Sequence, residues 1–164
     1  MTSPSGSAEL DEEILAWAEA RCRLLYEGKA LAHRSCGIAL AETFGRVSHS
    51  YQALRRGGIT GTGTCGAIQG GLLVLGEVFG DPDPTAPTTP ELRQAADRYQ
   101  TLVREHLGPS QSTICNDLTS PFETFKSDAR HHMCTHLAAQ MARRVAQVIC
   151  ELGGTVERRP RPDQ

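Results

Sequence analysis

Apolar residues recur at helical spacing through most of the chain. Leu10, Ile14, Trp17, Ala18, Leu24 and Leu25 form a first amphipathic stripe. Asp11, Glu12 and Glu13 are expected in the first turn of that helix, where its dipole favours negative charge. Ser35 is placed to cap a second helix from Cys36 to about Phe44, and Gly45 to end it. From Arg55 to Gly71 the chain reads RRGGITGTGTCGAIQGG and then turns apolar on nearly every side from Leu72 to Phe79, the profile of a centrally buried helix. Gly66 and Gly70, like Ala67 and Gly71, are four apart and leave one flank of bare backbone for a neighbour to approach.

Asp81 to Thr89 is a proline-rich linker, and Thr88 with Glu91 reads as a capping box. Leu92, Ala96, Tyr99, Val103 and Leu107 give the next helix its apolar face, and Gly108-Pro109 stops it. A short helical piece around Ile114 to Leu118 precedes a long helix from about Ser127 to Leu152. No strand-like alternation of convincing length occurs. The expected fold is therefore an all-α, single-domain bundle of about five helices with a buried central glycine-rich helix. The domain is expected over residues 9–152, with residues 1–8 and 153–164 disordered.

Charge narrows the function little. The 17 basic and 19 acidic residues are dispersed, for a formal charge of −2, and no basic stripe points to nucleic acid. No stretch approaches the ~20 apolar residues that span a bilayer, and Met1 to Ser7 lacks the pattern of a signal peptide, so a cytoplasmic location without a membrane partner is expected. The greasy central helix in so short a chain suggests a homodimer.

Six cysteines in a reducing compartment read as metal ligands, redox thiols or small core residues rather than permanent disulfides. Cys36 and Cys65 fall at expected helix starts, where the dipole and free backbone N–H groups favour the thiolate. Cys134 shares the inward face of the last helix with Leu137, Ala138, Met141, Val145 and Val148, and His131 lies within about 60° of it. His132 and His136 fall on the polar side and read as solvated. Cys22, at the margin of the first stripe, and Cys150, on another face of the last helix, read as bystanders. The run GGITGTGTC lacks the G-K-[ST] ending of a nucleotide loop. Arg55 and Arg56 read as solvated loop residues, although beside the glycines they could attract an anion or stabilise a thiolate. Asp117 and Glu123, close after Cys115, could serve as a base.

The segments S-C-G-I-A-L-A at Cys36, G-T-C-G-A-I-Q-G-G at Cys65, I-C-N-D-L at Cys115 and H-M-C-T-H at Cys134, in this order, resemble the small redox-associated family named for its cysteine pattern, C_GCAxxG_C_C, also found as a domain in split-Soret-type cytochromes. The central element here, C-G-A-I-Q-G, departs from the literal G-C-A wording by one place. The resemblance implies a redox protein whose working sulfurs are these four, and the C-x-x-C-H haem signature of the cytochromes is missing. Four such ligands suit an iron–sulfur cluster in electron transfer, with Gly61, Gly63, Gly66 and Gly70 bringing backbone N–H groups to the sulfurs. The alternatives are a metal-free thiol–disulfide protein attacking through Cys36 or Cys65, and a helical scaffold binding zinc or copper. The redox partner is not identified by the sequence.

Overall fold

The computed structural model describes residues 4–158. In chain order it holds α1 (Pro4–Glu27), α2 (Cys36–Thr43), a 3₁₀ helix (His49–Leu54), α3 (Gly66–Phe79), α4 (Pro90–Leu107), α5 (Cys115–Thr119) and α6 (Asp128–Glu151). The described residues contain no β-strand beyond one isolated antiparallel bridge, Thr64 with Ile114. The all-α expectation holds, and α3 is the central helix, touching α2, α4, α6 and the 3₁₀ helix. None of the helices is long and apolar enough to cross a membrane.

The longest packed seam joins α1 and α6. Its buried face matches the expected stripe in part: Ala18 and Leu25 are buried as expected, Cys22 and Tyr26 join them, and Leu10 is 49% exposed. Cys22 thus sits within the core, its thiol donating to the Ala138 carbonyl at 3.4 Å. The helix also begins earlier than expected, at Pro4, a residue well suited to a first helical position. Asp11, Glu12 and Glu13 therefore lie past the first turn. Glu12 instead meets Arg143 of α6 at 2.8 Å, and Glu13 meets Arg158 at 3.9 Å. At the other end Val156 packs on the core and the Gly154 N–H donates to the Ile149 carbonyl. The disorder expected for 1–8 and 153–164 thus does not extend over residues 4–8 or 153–158, and the rest of those segments lies outside the described residues.

Caps follow local chemistry. Thr89, rather than Thr88, caps α4: its hydroxyl accepts from the Leu92 N–H, because Pro90 takes the first helical position. Ser127 caps α6 through the Arg130 N–H. The bare flank of α3 is used as its spacing suggests. A Cβ on Gly70 would lie 3.0 Å from the Gly37 Cα, and one on Gly71 would lie 2.2 Å from the Tyr99 hydroxyl, which donates to the Ile68 carbonyl. Helices α2 and α4 therefore both close on α3. Most of its apolar surface is covered within the chain, leaving Leu73 at 41% exposure, so the reason given for a homodimer is much reduced.

Two glycines of α3 separate packing from propensity. A methyl at Gly66 would meet the Leu54 carbonyl oxygen at 2.4 Å and the Cys36 Sγ at 2.5 Å, whereas one at Gly76 would meet nothing within 4 Å. Gly66→Ala is expected to destabilise the protein by ~1–3 kcal/mol through overpacking. Gly76→Ala is expected to stabilise it by up to about 1 kcal/mol through helix propensity. Urea denaturation of the two variants checks both signs.

Candidate functional site: a four-cysteine cavity

Each of the four sulfurs is delivered by a different element. Cys36 is the first residue of α2 and Cys65 is the N-cap residue of α3. Cys115 opens α5, and Cys134 lies near the start of α6, one turn beyond Arg130. All four line a single cavity of about 350 Å³.

Two local devices bring them there. The first is the glycine contact between α2 and α3, which leaves room for the Cys36 sulfur beside Gly66. The second is a strand-like clasp: the Cys65 N–H donates to the Thr113 carbonyl, the Cys115 N–H to the Gly63 carbonyl and the Asn116 N–H to the Gly61 carbonyl, at 2.8–3.0 Å. The clasp sets Cys115 beside Cys65. Gly57 completes it, because a Cβ there would lie 2.6 Å from the Cys115 Cβ.

Cys36 and Cys65 share a side-chain hydrogen bond, and it drives their titrations apart. The Cys65 thiol holds Cys36 below the ordinary thiol value of 9.0 against the opposing effect of burial, with help from the Gly37 N–H. The same bond, burial and the charge of Cys36 raise Cys65 well above that value, although the N–H groups of Ala67 and Ile68 face its sulfur. The pair loses its first proton easily and its second with difficulty. Burial pushes Cys115 up to about 11, opposed by Arg56 and Arg130. Burial also raises Cys134, opposed by a hydrogen bond and charge from Arg130.

The rest of the wall is aromatic and cationic. Tyr26, His33, Ser35, Arg55, Arg56, Phe125 and Arg130 line it with Ala67 and Leu137, and no carboxylate does. Both guanidiniums lie on the Phe125 ring, Arg56 at 4.7 Å and Arg130 at 4.1 Å from its centroid. Arg130 also donates to the Phe125 carbonyl and to the Tyr26 hydroxyl. Ser35 occupies the N-cap position of α2, yet its side chain makes no cap: the Oγ is buried and lacks a hydrogen-bond partner.

The remaining candidates fall elsewhere. His131 stacks on Tyr26 and bonds the Glu27 carbonyl through Nε2, so the histidine on the cavity wall is His33, not the expected neighbour of Cys134. His132 and His136 are exposed. Cys150 lies outside the cavity, near Asp11. Asp117 accepts from the Ser112 hydroxyl and, like Glu123, does not line the cavity. Gly61, Gly63, Gly66 and Gly70 do not line it either; a Cβ at each would strike Asn116, Gly57, the Leu54 carbonyl or Gly37, so their close contacts are with protein. Arg56, Phe125, Arg130 and Ser35 went unread as a group because nothing in their spacing unites them. Among the described residues no three His, Cys, Asp or Glu side chains are gathered so as to hold a metal ion.

The family described as "Putative redox-active protein (C_GCAxxG_C_C)" matches residues 30–148. The match includes all four cavity cysteines and most of the chain, and the chain belongs to this family. No curated protein and no solved structure matches it.

Because the Cys65 thiol is the main support of the Cys36 thiolate, Cys65→Ala is expected to move the pH profile of Cys36 alkylation upward. In the unaltered protein the rate should reach its plateau at lower pH than for an ordinary thiol. In the variant it should keep rising toward higher pH. Alkylation mapped by mass spectrometry over a pH series checks this, and coincident profiles would contradict the hydrogen-bond assignment.

Proposed function

We propose that this family member is an electron-transfer protein whose Cys36, Cys65, Cys115 and Cys134 ligate an iron–sulfur cluster. The observation that carries the reading is the opening of four thiols, from four separate elements, into one cavity with no carboxylate on its wall. The donor chemistry fits, because four thiolates are the common ligand set of such clusters.

Bound there, the cluster would supply one-electron transfer. The chain's own residues supply the conditions for it. Ligation requires the cysteines to give up their protons, and Arg56 and Arg130 favour the resulting negative charge. The Gly37, Ala67 and Ile68 N–H groups favour charge on the Cys36 and Cys65 sulfurs, an arrangement that stabilises a reduced centre.

A second reading is favoured by the Cys36–Cys65 hydrogen bond. In it the Cys36 thiolate attacks a substrate disulfide and forms a mixed disulfide as one substrate thiolate leaves. Cys65 then gives its proton to that thiolate and attacks the Cys36 sulfur, expelling the second substrate thiolate, which takes a proton from water. Two electrons pass to the substrate and a Cys36–Cys65 disulfide remains.

Anaerobic incubation of the reduced protein with ferrous iron and sulfide separates the two. The cluster reading expects a brown protein with visible charge-transfer absorption that is lost in Cys65→Ser and Cys134→Ser and kept in Cys150→Ser. A colourless protein that loses one pair of thiols on mild oxidation, mapped to Cys36 and Cys65, would replace the cluster with the dithiol.

A further inference from the structure

We infer that the sulfur cavity contains an anion-recognition subsite, formed by Arg56, Arg130 and the Ser35 hydroxyl, which admits a small substrate bearing a carboxylate, sulfonate or phosphate and turns its other end toward Cys36. The inference deepens the thiol–disulfide reading of this cavity and rests on it for the role of Cys36.

The two guanidiniums share the cavity wall with Arg55 and with no carboxylate. Arg23, Arg34, Arg46, Arg98, Arg143 and Arg158 each pair with a glutamate. Arg56 and Arg130 make no salt bridge among the described residues; both lie on one aromatic ring, and Arg130 also bonds a carbonyl, a phenol hydroxyl and the Cys134 side chain. These contacts orient the cations, and no carboxylate pairs with either. An oxyanion in the cavity would meet cations that no carboxylate on the wall neutralises, and would be attracted to them. Arginine is also the side chain best shaped to grip a planar or tetrahedral oxyanion.

Two further observations point to the same place. Arg56 sits at φ 49°, a left-handed backbone conformation that disfavours a side chain with a Cβ, and from it the guanidinium reaches over Phe125. The Ser35 Oγ is a buried hydroxyl without a partner on the same cavity wall, immediately before Cys36. A buried hydroxyl left unpaired is costly, and an oxyanion in the cavity would accept its proton. The recognition elements thus line the same cavity as Cys36, which directly follows Ser35 in the chain.

The test compares two alkylating agents that differ in charge, iodoacetate and iodoacetamide, on the reduced, iron-free full chain. In both reactions the Cys36 thiolate displaces iodide from the same carbon, so the ratio of their rates reports recognition of the carboxylate. The ratio at Cys36 should exceed that of free cysteine in the same buffer by ~10-fold or more, as expected for a charged cleft. It should fall to the free-cysteine value in the Arg56→Gln/Arg130→Gln double variant, and Ser35→Ala should lower it partly. Inorganic phosphate should slow iodoacetamide saturably where chloride at equal ionic strength does not, and whether phosphate or acetate competes better identifies the preferred anionic group. A ratio equal to that of free cysteine, or one unchanged in the double variant, overturns the subsite. If Cys36 resists both reagents, melting temperature decides: phosphate must raise it over chloride in the unaltered protein and not in the double variant. A subsite confirmed in a protein that takes neither iron nor a disulfide would leave recognition standing and remove the redox reading.

Discussion

The sulfur cavity depends on one backbone contact, the crossing of α2 and α3 at Gly37, Gly66 and Gly70. At these positions the helices approach so closely that an added methyl would press on Leu54, the Cys36 sulfur or the facing backbone. Close approach places the two helix starts side by side. Both bring unpaired N–H groups and positive dipole ends to one spot. The converging positive ends are unfavourable together and become favourable once a negative sulfur lies between them. The packing geometry and the lowered proton affinity of Cys36 therefore have a common origin.

A second layer is built on that crossing. The segment from Arg55 to Cys65 holds two non-glycine residues, Arg56 and Ile59, in left-handed conformations and is held by backbone bonds to residues 113–116. This clasp does the work a sheet edge would do in another fold, and it fixes Cys115 without a long helix to carry it. Gly57 and Gly61 are required by the closeness of Cys115 and Asn116. The glycines that suggest a cofactor cradle in the sequence are thus spent on bringing chain to chain, and the cavity is what their packing leaves between the helices.

Most of the architecture was legible because helices declare themselves locally. The approximate ends of α2, α4 and α6 need only neighbours in sequence, although Ser35 makes no side-chain cap and the cap of α4 is Thr89 rather than Thr88; the inward direction of Cys134 follows from helical period. What escaped was non-local. The buried face of α1 is chosen by its contact with α6, which turns Cys22 and Tyr26 inward beside the expected Ala18 and Leu25 and leaves Leu10 at the surface. His33 reaches the wall and His131 does not, a distinction made by the loop after α1 rather than by α6. Arg56 and Arg130 are far apart in the chain and meet only through Phe125. Arg55 and Arg56 are exposed, as expected of a glycine-rich loop, and nothing local marks them as also lining a cavity. The short 3₁₀ helix, with only Tyr51 buried, lacks the period that would announce it.

The charge balance of the cavity ties these elements together. With Cys65 raised well above its ordinary value and Cys115 and Cys134 raised by burial, the first negative charge belongs to the Cys36–Cys65 pair. It faces two guanidiniums that no carboxylate neutralises. The resting cavity is therefore short of negative charge, and any process that supplies more is favoured there: further ionisation of the thiols on ligation, electrons delivered to a bound centre, or entry of an anionic substrate. Oxidation of Cys36 and Cys65 to a disulfide has the opposite effect, removing the pair that ionises most readily and leaving the guanidiniums uncompensated. The same cations that assist cluster ligation thus disfavour the disulfide, unless an anion occupies the place beside Ser35.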